Sequence, residues 1–215
     1  MFKEMIDETV KNSFNVRDDL KDNTVEENKK IHDSDRLPFR ICCLNIEGDL
    51  NIGTILRSAS LLGCEKAYVF GRKKFDARSM VGVGNYMDIE KIHGLTPDNE
   101  IDVDAFDKFC VAARIYPIFI EQGGTLFNEV DWPVLYDSIK YLNVGRLCFV
   151  FGNEATGIPK ELIQHRMKTV YSIPQYGVLR SYNVAASANI VMWDFVKQYS
   201  AYFRGWKVVP YPTRD

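Results

Sequence analysis

From Leu37 onward, apolar runs of strand length alternate with amphipathic stretches of helix length. FRICCLN (39–45), KAYVFG (66–71), MDIEKIHG (87–94), YPIFIE (116–121), RLCFVFGN (146–153) and KTVYSIP (168–174) are predicted strands. Between them, NIGTILRSASLLG (51–63), VDAFDKFCVAAR (103–114), ELIQHRM (161–167) and VAASANIVMWDFVKQYSAYF (184–203) are predicted helices, the first closed by Gly63 as a C-terminal cap. Such alternation predicts an α/β fold, a mostly parallel sheet with helices on both faces.

Residues 1–37 break the pattern. DDLKDNTVEENKKIHDSDR is dense in charge of both signs and poor in large apolar side chains, so it buries little. A short amphipathic helix over Phe2 to Val10 is the one periodic feature ahead of it. The division expected is a charged, partly mobile appendage over 1–37 and one domain over 38–215.

Composition changes this picture only modestly. With 215 residues, 46% hydrophobic and 13% aromatic, the chain has material for one sizeable core. A formal net charge of −2 supplies no general attraction to nucleic acid or membrane, so an RNA partner requires a local basic patch. The five cysteines include no Cys-x-x-Cys pair and have no histidine cluster beside them, which predicts reduced thiols and no metal site. Neither a signal-peptide core nor a membrane-length apolar run is present in the sequence, and a cytoplasmic location is expected.

In a parallel sheet, ligands bind at loops beyond the carboxyl ends of the strands. Three polar, glycine-bearing stretches fall there. In Asp49-Leu-Asn-Ile-Gly-Thr-Ile-Leu-Arg-Ser-Ala59, Asn51 is a helix-capping type, Gly53 permits close backbone approach, and Arg57 offers a cation to a phosphate or polar substrate group. On its own this is equally an ordinary capped helix with a solvated arginine. In Phe151-Gly-Asn-Glu-Ala-Thr-Gly-Ile-Pro159, two glycines allow tight turns, and Glu154 puts a carboxylate at the mouth of a buried strand, where it is either functional or a helix cap. Neither a phosphate-loop lysine nor a Gly-x-Gly-x-x-Gly pattern is present, which argues against a dinucleotide-dependent oxidoreductase. In the third stretch, Ile173-Pro-Gln-Tyr-Gly-Val-Leu-Arg-Ser-Tyr-Asn-Val184, Ser181 and Asn183 crowd one helix start that needs a single cap.

Together, and in this order, the three stretches resemble the three motifs of the SpoU-type (TrmH-like) RNA ribose methyltransferases of the SPOUT superfamily, over roughly residues 38–203. Asn-Ile-Gly-Thr-Ile-Leu-Arg-Ser-Ala (51–59) is similar to the first motif, Phe-Gly-Asn-Glu-Ala-Thr-Gly-Ile (151–158) to the second, and Ile-Pro-x-x-Gly-x-x-x-Ser-x-Asn-Val (173–184) to the third. The resemblance implies transfer of a methyl group from S-adenosylmethionine to a ribose 2′-hydroxyl of RNA. It further implies a homodimer with a shared active site and a C-terminal trefoil knot, which pattern alone would never suggest. Gln175, Arg180, Trp193 and Lys197-Gln198 resemble the eukaryotic-type enzymes that methylate guanosine 18 of tRNA. A ribosomal RNA target, a wobble-position tRNA target and an inactive RNA-binding protein on the same fold are the alternatives.

By the same resemblance Arg57, Asn51, Glu154, Ser181 and Asn183 are the catalytic set, with Arg57 reaching across the dimer. Arginine makes a poor base near neutrality, so its expected role is to bind the adjacent phosphate and stabilise the developing alkoxide. Phe151, Gly152, Ile173 and Tyr182, bordered by Ile120 and Glu121, would form the cofactor site. Tyr182 stands where the family usually has Leu, and supplies a flat apolar contact in its place. For RNA, the basic stretch carrying Arg72, Lys73, Lys74 and Arg78 is the candidate patch. Its plainer reading is a solubilising loop.

Overall fold

In the computed structural model of the chain, residues 16–71, 76–164, 166 and 169–204 are described. The helix expected over Phe2–Val10 lies outside them. A six-stranded sheet organises the molecule: β1 (Leu37–Leu44), β2 (Cys64–Phe70), β3 (Ile89–Ile92), β4 (Ile115–Leu126), β5 (Arg146–Phe151) and β6 (Val170–Ser172). All neighbours pair in parallel, in the order β3-β2-β1-β5-β4-β6.

Side chains alternate across the strands, and so do the two cores they enter. Phe39, Ile41 and Cys43 of β1 face one layer; Cys42 and Leu44 face the other. On the first face lie α2 (Asp49–Leu61), α4 (Trp132–Tyr141) and α6 (Val184–Tyr199), whose Ile52, Leu56, Trp132, Ile139, Val191 and Phe195 join that core. On the second lie α3 (Val103–Ala112) and the single turn α5 (Lys160–Ile163), with Phe106, Phe109 and Leu162. Cys42, Cys43, Cys64 and Cys148 are buried free thiols; burial pushes Cys43 and Cys64 up to about 12, so they act as packing groups.

Three elements depart from the sequence-based expectation. Residues 25–34, inside the charged stretch, form helix α1 (Val25–Ser34), closed by a full capping box between Thr24 and Glu27. Polar contacts hold this helix to the domain: Lys29 pairs with Asp88 at 2.9 Å, and His32 Nε2 lies 3.2 Å from Ser60 Oγ. Just beyond it, Arg36 Nη1 donates to the Glu65 carbonyl at 2.8 Å.

Helix α4 has no counterpart among the predicted elements, although Asp131 caps it by accepting from Val134 N at 3.0 Å and a proline sits in its first turn. Strand β4 continues past Glu121 through Gly123 and Gly124 to Leu126. It slips register against β6 there, pairing both Ile120 and Thr125 with Tyr171. Gly124 is required at the slip, because a Cβ would lie 2.4 Å from the Val170 carbonyl oxygen.

Candidate functional site

The chain builds β2 and β3 on one side of β1, then places β5, β4 and β6 on the other. Strands β1 and β5 are thus adjacent where the winding reverses, and the loops after them diverge into an open crevice, the usual ligand position of such sheets.

Glu154 is the hub of that crevice. Its Oε2 accepts from Glu47 N at 3.0 Å, and its Oε1 from Gly48 N at 3.0 Å and Asn51 Nδ2 at 2.8 Å. Gly48 is the N-cap of α2 but has no side chain to cap with, so a carboxylate from the loop after β5 fills that role, favoured by the helix dipole. Gly48 also leaves room for it, since a Cβ would stand 2.8 Å from Glu154 Oε1. Burial pushes the Glu154 carboxyl up, but the Asn51 amide and the backbone N–H groups outweigh it and hold it below its ordinary value.

Asn51 extends the network. Its Oδ1 accepts from Asn183 Nδ2 at 3.1 Å, while Asn183 Oδ1 caps α6 by accepting from Ala185 N at 2.9 Å and Ala186 N at 3.2 Å. A single hydrogen-bonded line therefore runs from Glu154 through Asn51 and Asn183 into α6, joining all three loops.

Beside this line lies a cavity of about 810 Å³, within the size range of nucleoside-type ligand sites. Phe151, Gly152, Ile173, Tyr182, Ile120 and Glu121 all line it, as do Glu154, Ser181 and Asn183. Glu121 is fixed by accepting from Ile158 N at 2.8 Å and Gln122 N at 2.9 Å. The loop after β5 folds back so closely that a Cβ on Gly152 would sit 2.6 Å from the Gly157 carbonyl carbon; Gly157 itself has φ +69° and faces Glu121 Oε2. Tyr182 is 43% exposed and its hydroxyl donates to the Pro174 carbonyl at 3.2 Å, so its ring borders the cavity mouth.

Arg57 stands apart. It is exposed on α2 and is not among the residues lining the cavity. Gly53, one turn earlier on the same face, packs against Ser79 so tightly that a Cβ would fall 2.1 Å from the serine hydroxyl. Of the basic stretch, Arg72, Lys73 and Lys74 lie outside the described residues. Arg78 is exposed and paired with Asp76, whose carboxyl that guanidinium holds down at about 2.

Asn153, missed in the sequence, and Gln122, beside Glu121 at the strand end expected to border the cofactor, complete the site. Asn153 is nearly buried; its amide donates to the Asn45 carbonyl at 2.9 Å, and its Oδ1 accepts from Ala155 N and Thr156 N, shaping the whole loop. Gln122 donates to the Arg180 carbonyl and ties β4 to the third loop. The signal for Asn153 was present, since Asn-x-x-x-Gly after a strand is turn chemistry, but its neighbour Glu154 offered the more obvious charge.

Among known proteins, a tRNA (guanosine(18)-2′-O)-methyltransferase of Mus musculus is 36% identical over 77 residues, 36% of this chain and 5% of that protein. A Listeria innocua protein provisionally named tRNA (cytidine(34)-2′-O)-methyltransferase is 31% identical over 133 residues, 58% of this chain and 79% of the relative. A Bacillus subtilis protein of the same provisional name is 38% identical over 50 residues, and there the match spans 31% of the relative. The crystal structure of the "A. aeolicus TrmH/SpoU tRNA modifying enzyme" superposes with a TM-score of 0.62 at 20% identity, covering 82% of this chain and 83% of that one. The AdoMet complex of the SpoU methyltransferase AviRb from Streptomyces viridochromogenes gives 0.54 at 21% identity, over 76% and 58%. Both share the fold. The model of the SpoU rRNA Methylase family matches residues 38–193, from the first residues of β1 into α6 and across all three loops of the crevice, and the chain belongs to that family.

Proposed function

We propose that the protein transfers a methyl group from S-adenosylmethionine to a ribose 2′-hydroxyl of RNA. The observation that carries this reading is the hydrogen-bonded line Glu154–Asn51–Asn183, which joins the three family motifs at the edge of the cavity. The cavity suits the cofactor's chemistry. Ile120, Phe151 and Ile173 provide apolar walls for a base, while Glu121 and Glu154 provide negative charge near a cationic sulfonium.

S-adenosylmethionine supplies, when bound, a methyl on a positively charged sulfur that leaves as a neutral thioether. The chain's own residues must then hold the ribose oxygen in line with that methyl, and this positioning accounts for most of the expected acceleration. Asn51, bonded to Glu154, locks the Asn183 amide on the cavity wall, and Ser181 adds a hydroxyl there. Arg57 is assigned to the phosphate beside the reacting ribose, where its charge stabilises the oxygen as it gives up its proton to solvent.

Because Arg57 does not line its own chain's cavity, we assign it to the active site of a second copy in a homodimer. The exposed Leu50, Leu61 and Trp193 on α2 and α6 support an interface on that face. The expected substrate is tRNA at guanosine 18, in keeping with the mouse relative; the longer match to the Listeria protein favours cytidine 34 as the second reading. Arg57→Ala tests the assignment. Methyl transfer should fall by at least about 100-fold, the scale seen when a group stabilising developing oxyanion charge is removed, with cofactor affinity unchanged. Loss of cofactor binding in that variant would refute the role.

A further inference from the structure

At the opposite end of the sheet from the crevice lies a second cavity, of about 390 Å³, between the amino ends of β1, β4 and β5. Four cations line it: Arg40, Arg114, Lys140 and Arg146. Glu65 answers two of them, at 3.0 Å from Arg40 and 3.7 Å from Arg146. Among the described residues Arg114 and Lys140 have no ion pair; Arg114 makes a 3.3 Å hydrogen bond to Asn143. Carbonyl ends of α3 and α4 draw some positive charge to this place, but two cations would serve two helix ends.

The backbone here is held in costly conformations. Arg114 follows α3 with φ +49°, a position that glycine would take without strain, and Asn143 follows α4 with φ +50°. Gly145 has φ +136° and lies so near the Arg114 carbonyl that a Cβ would be 2.6 Å from its oxygen. Strain thus presents Arg114 on the cavity wall. Next in the chain to the lining residues Lys140, Asn143 and Gly145, three apolar side chains are exposed: Tyr141 is 87% exposed, Leu142 66% and Val144 46%. Cations set around a cavity, with an exposed aromatic ring one residue along the chain from Lys140, match the two demands of an RNA strand, phosphate neutralisation and a flat surface for a base.

We propose that this cleft is a second RNA contact, in which Arg114, Lys140 and Arg146 hold backbone phosphates and Tyr141 stacks on an unpaired base. It rests on the reading of the protein as an RNA-modifying enzyme. Strand β5, six residues long, separates it from the crevice by about 20 Å, so it serves a folded RNA and not a short fragment.

The test uses the full chain and a fluorescent, unmodified tRNA transcript titrated over a series of salt concentrations. Lys140→Glu with Arg146→Glu should weaken binding at least about tenfold and lower the salt slope by about 1 to 2, with cofactor affinity unchanged. Tyr141→Ala, at an exposed position that leaves the fold alone, should weaken binding about 5- to 100-fold without changing the slope. Unchanged RNA affinity in variants that still bind cofactor would overturn the proposal, as would a wild-type chain that binds no RNA. Transfer activity reports separately: wild-type methylation with cleft variants that bind RNA normally would leave the enzyme standing and remove only the cleft.

Discussion

Single residues here are constrained by polar geometry more than by bulk. Glu154 accepts three hydrogen bonds that a protonated or amidated side chain cannot all keep, because one oxygen becomes a donor facing donors. Glu154→Gln should cost about 1–3 kcal/mol in denaturant unfolding, a range set by leaving charge-assisted bonds unmade. The sign of the pH dependence follows from the depressed carboxyl. Its contribution to stability is complete above the unfolded value of 4.5 and is lost as pH falls through the lower folded value; the Gln variant should lack that loss. Equal acid sensitivity in both proteins would contradict this. Gly157→Ala forces an alanine to φ +69° against Glu121, and should lose about 1–2 kcal/mol together with cofactor affinity. Sequence alone identified Glu154 and Gly152 as exceptional, because charge and glycine at a strand end are visible in one dimension. It did not identify Asn153, whose partners Asn45 and Glu47 are more than a hundred residues away.

Elements were legible where one periodicity dominated. The buried strands β1, β2 and β5 are continuous apolar runs, and α2, α3 and α6 carry broad apolar faces, so pattern and structure agree within a few residues. Helix α4 was obscured because Trp132 and Pro133 open it within a stretch of mixed character; its Trp132 is fully buried, with the indole N–H donating to Asp194 at 2.8 Å. Helix α1 was obscured for a different reason. It has little apolar surface to reveal, and its capping box and salt bridges, which stabilise it, read as generic charge. At this scale the decisive element is α6, whose N-terminus is both a structural cap and a wall of the site. Asn183→Ala should destabilise the protein by about 1 kcal/mol, the usual cost of a lost cap, and should also release Asn51. Transfer should therefore fall further than stability predicts, whereas Asn183→Asp, which keeps the cap, should recover stability but not activity. If Asn183→Asp were fully active, the amide contact to Asn51 would be irrelevant.

At the scale of the whole molecule, the parallel α/β class follows from the alternation of elements, but the strand order does not. Local patterning carries no information on which side of β1 the chain places β5. Yet that choice puts the loops after β1 and β5 side by side and makes the crevice. The proposed second copy of the chain is the other feature that pattern does not reveal. Arg57→Ala, and Gly152→Ala whose Cβ would collide with Gly157 and close the cavity, should each be inactive alone and recover activity when mixed and re-equilibrated, since one of the two sites in the mixed dimer would pair an intact cavity with an intact Arg57. Additive inactivity would place Arg57 and the cavity in one chain.

Ribose methylation is tested by supplying the purified protein with methyl-labelled S-adenosylmethionine and unmodified tRNA, then digesting the RNA to nucleosides. Label should appear in a ribose-methylated nucleoside, 2′-O-methylguanosine from position 18, and should fall at least about 100-fold with Arg57→Ala. Label confined to a base, or no transfer from a protein that binds both cofactor and tRNA, would contradict it.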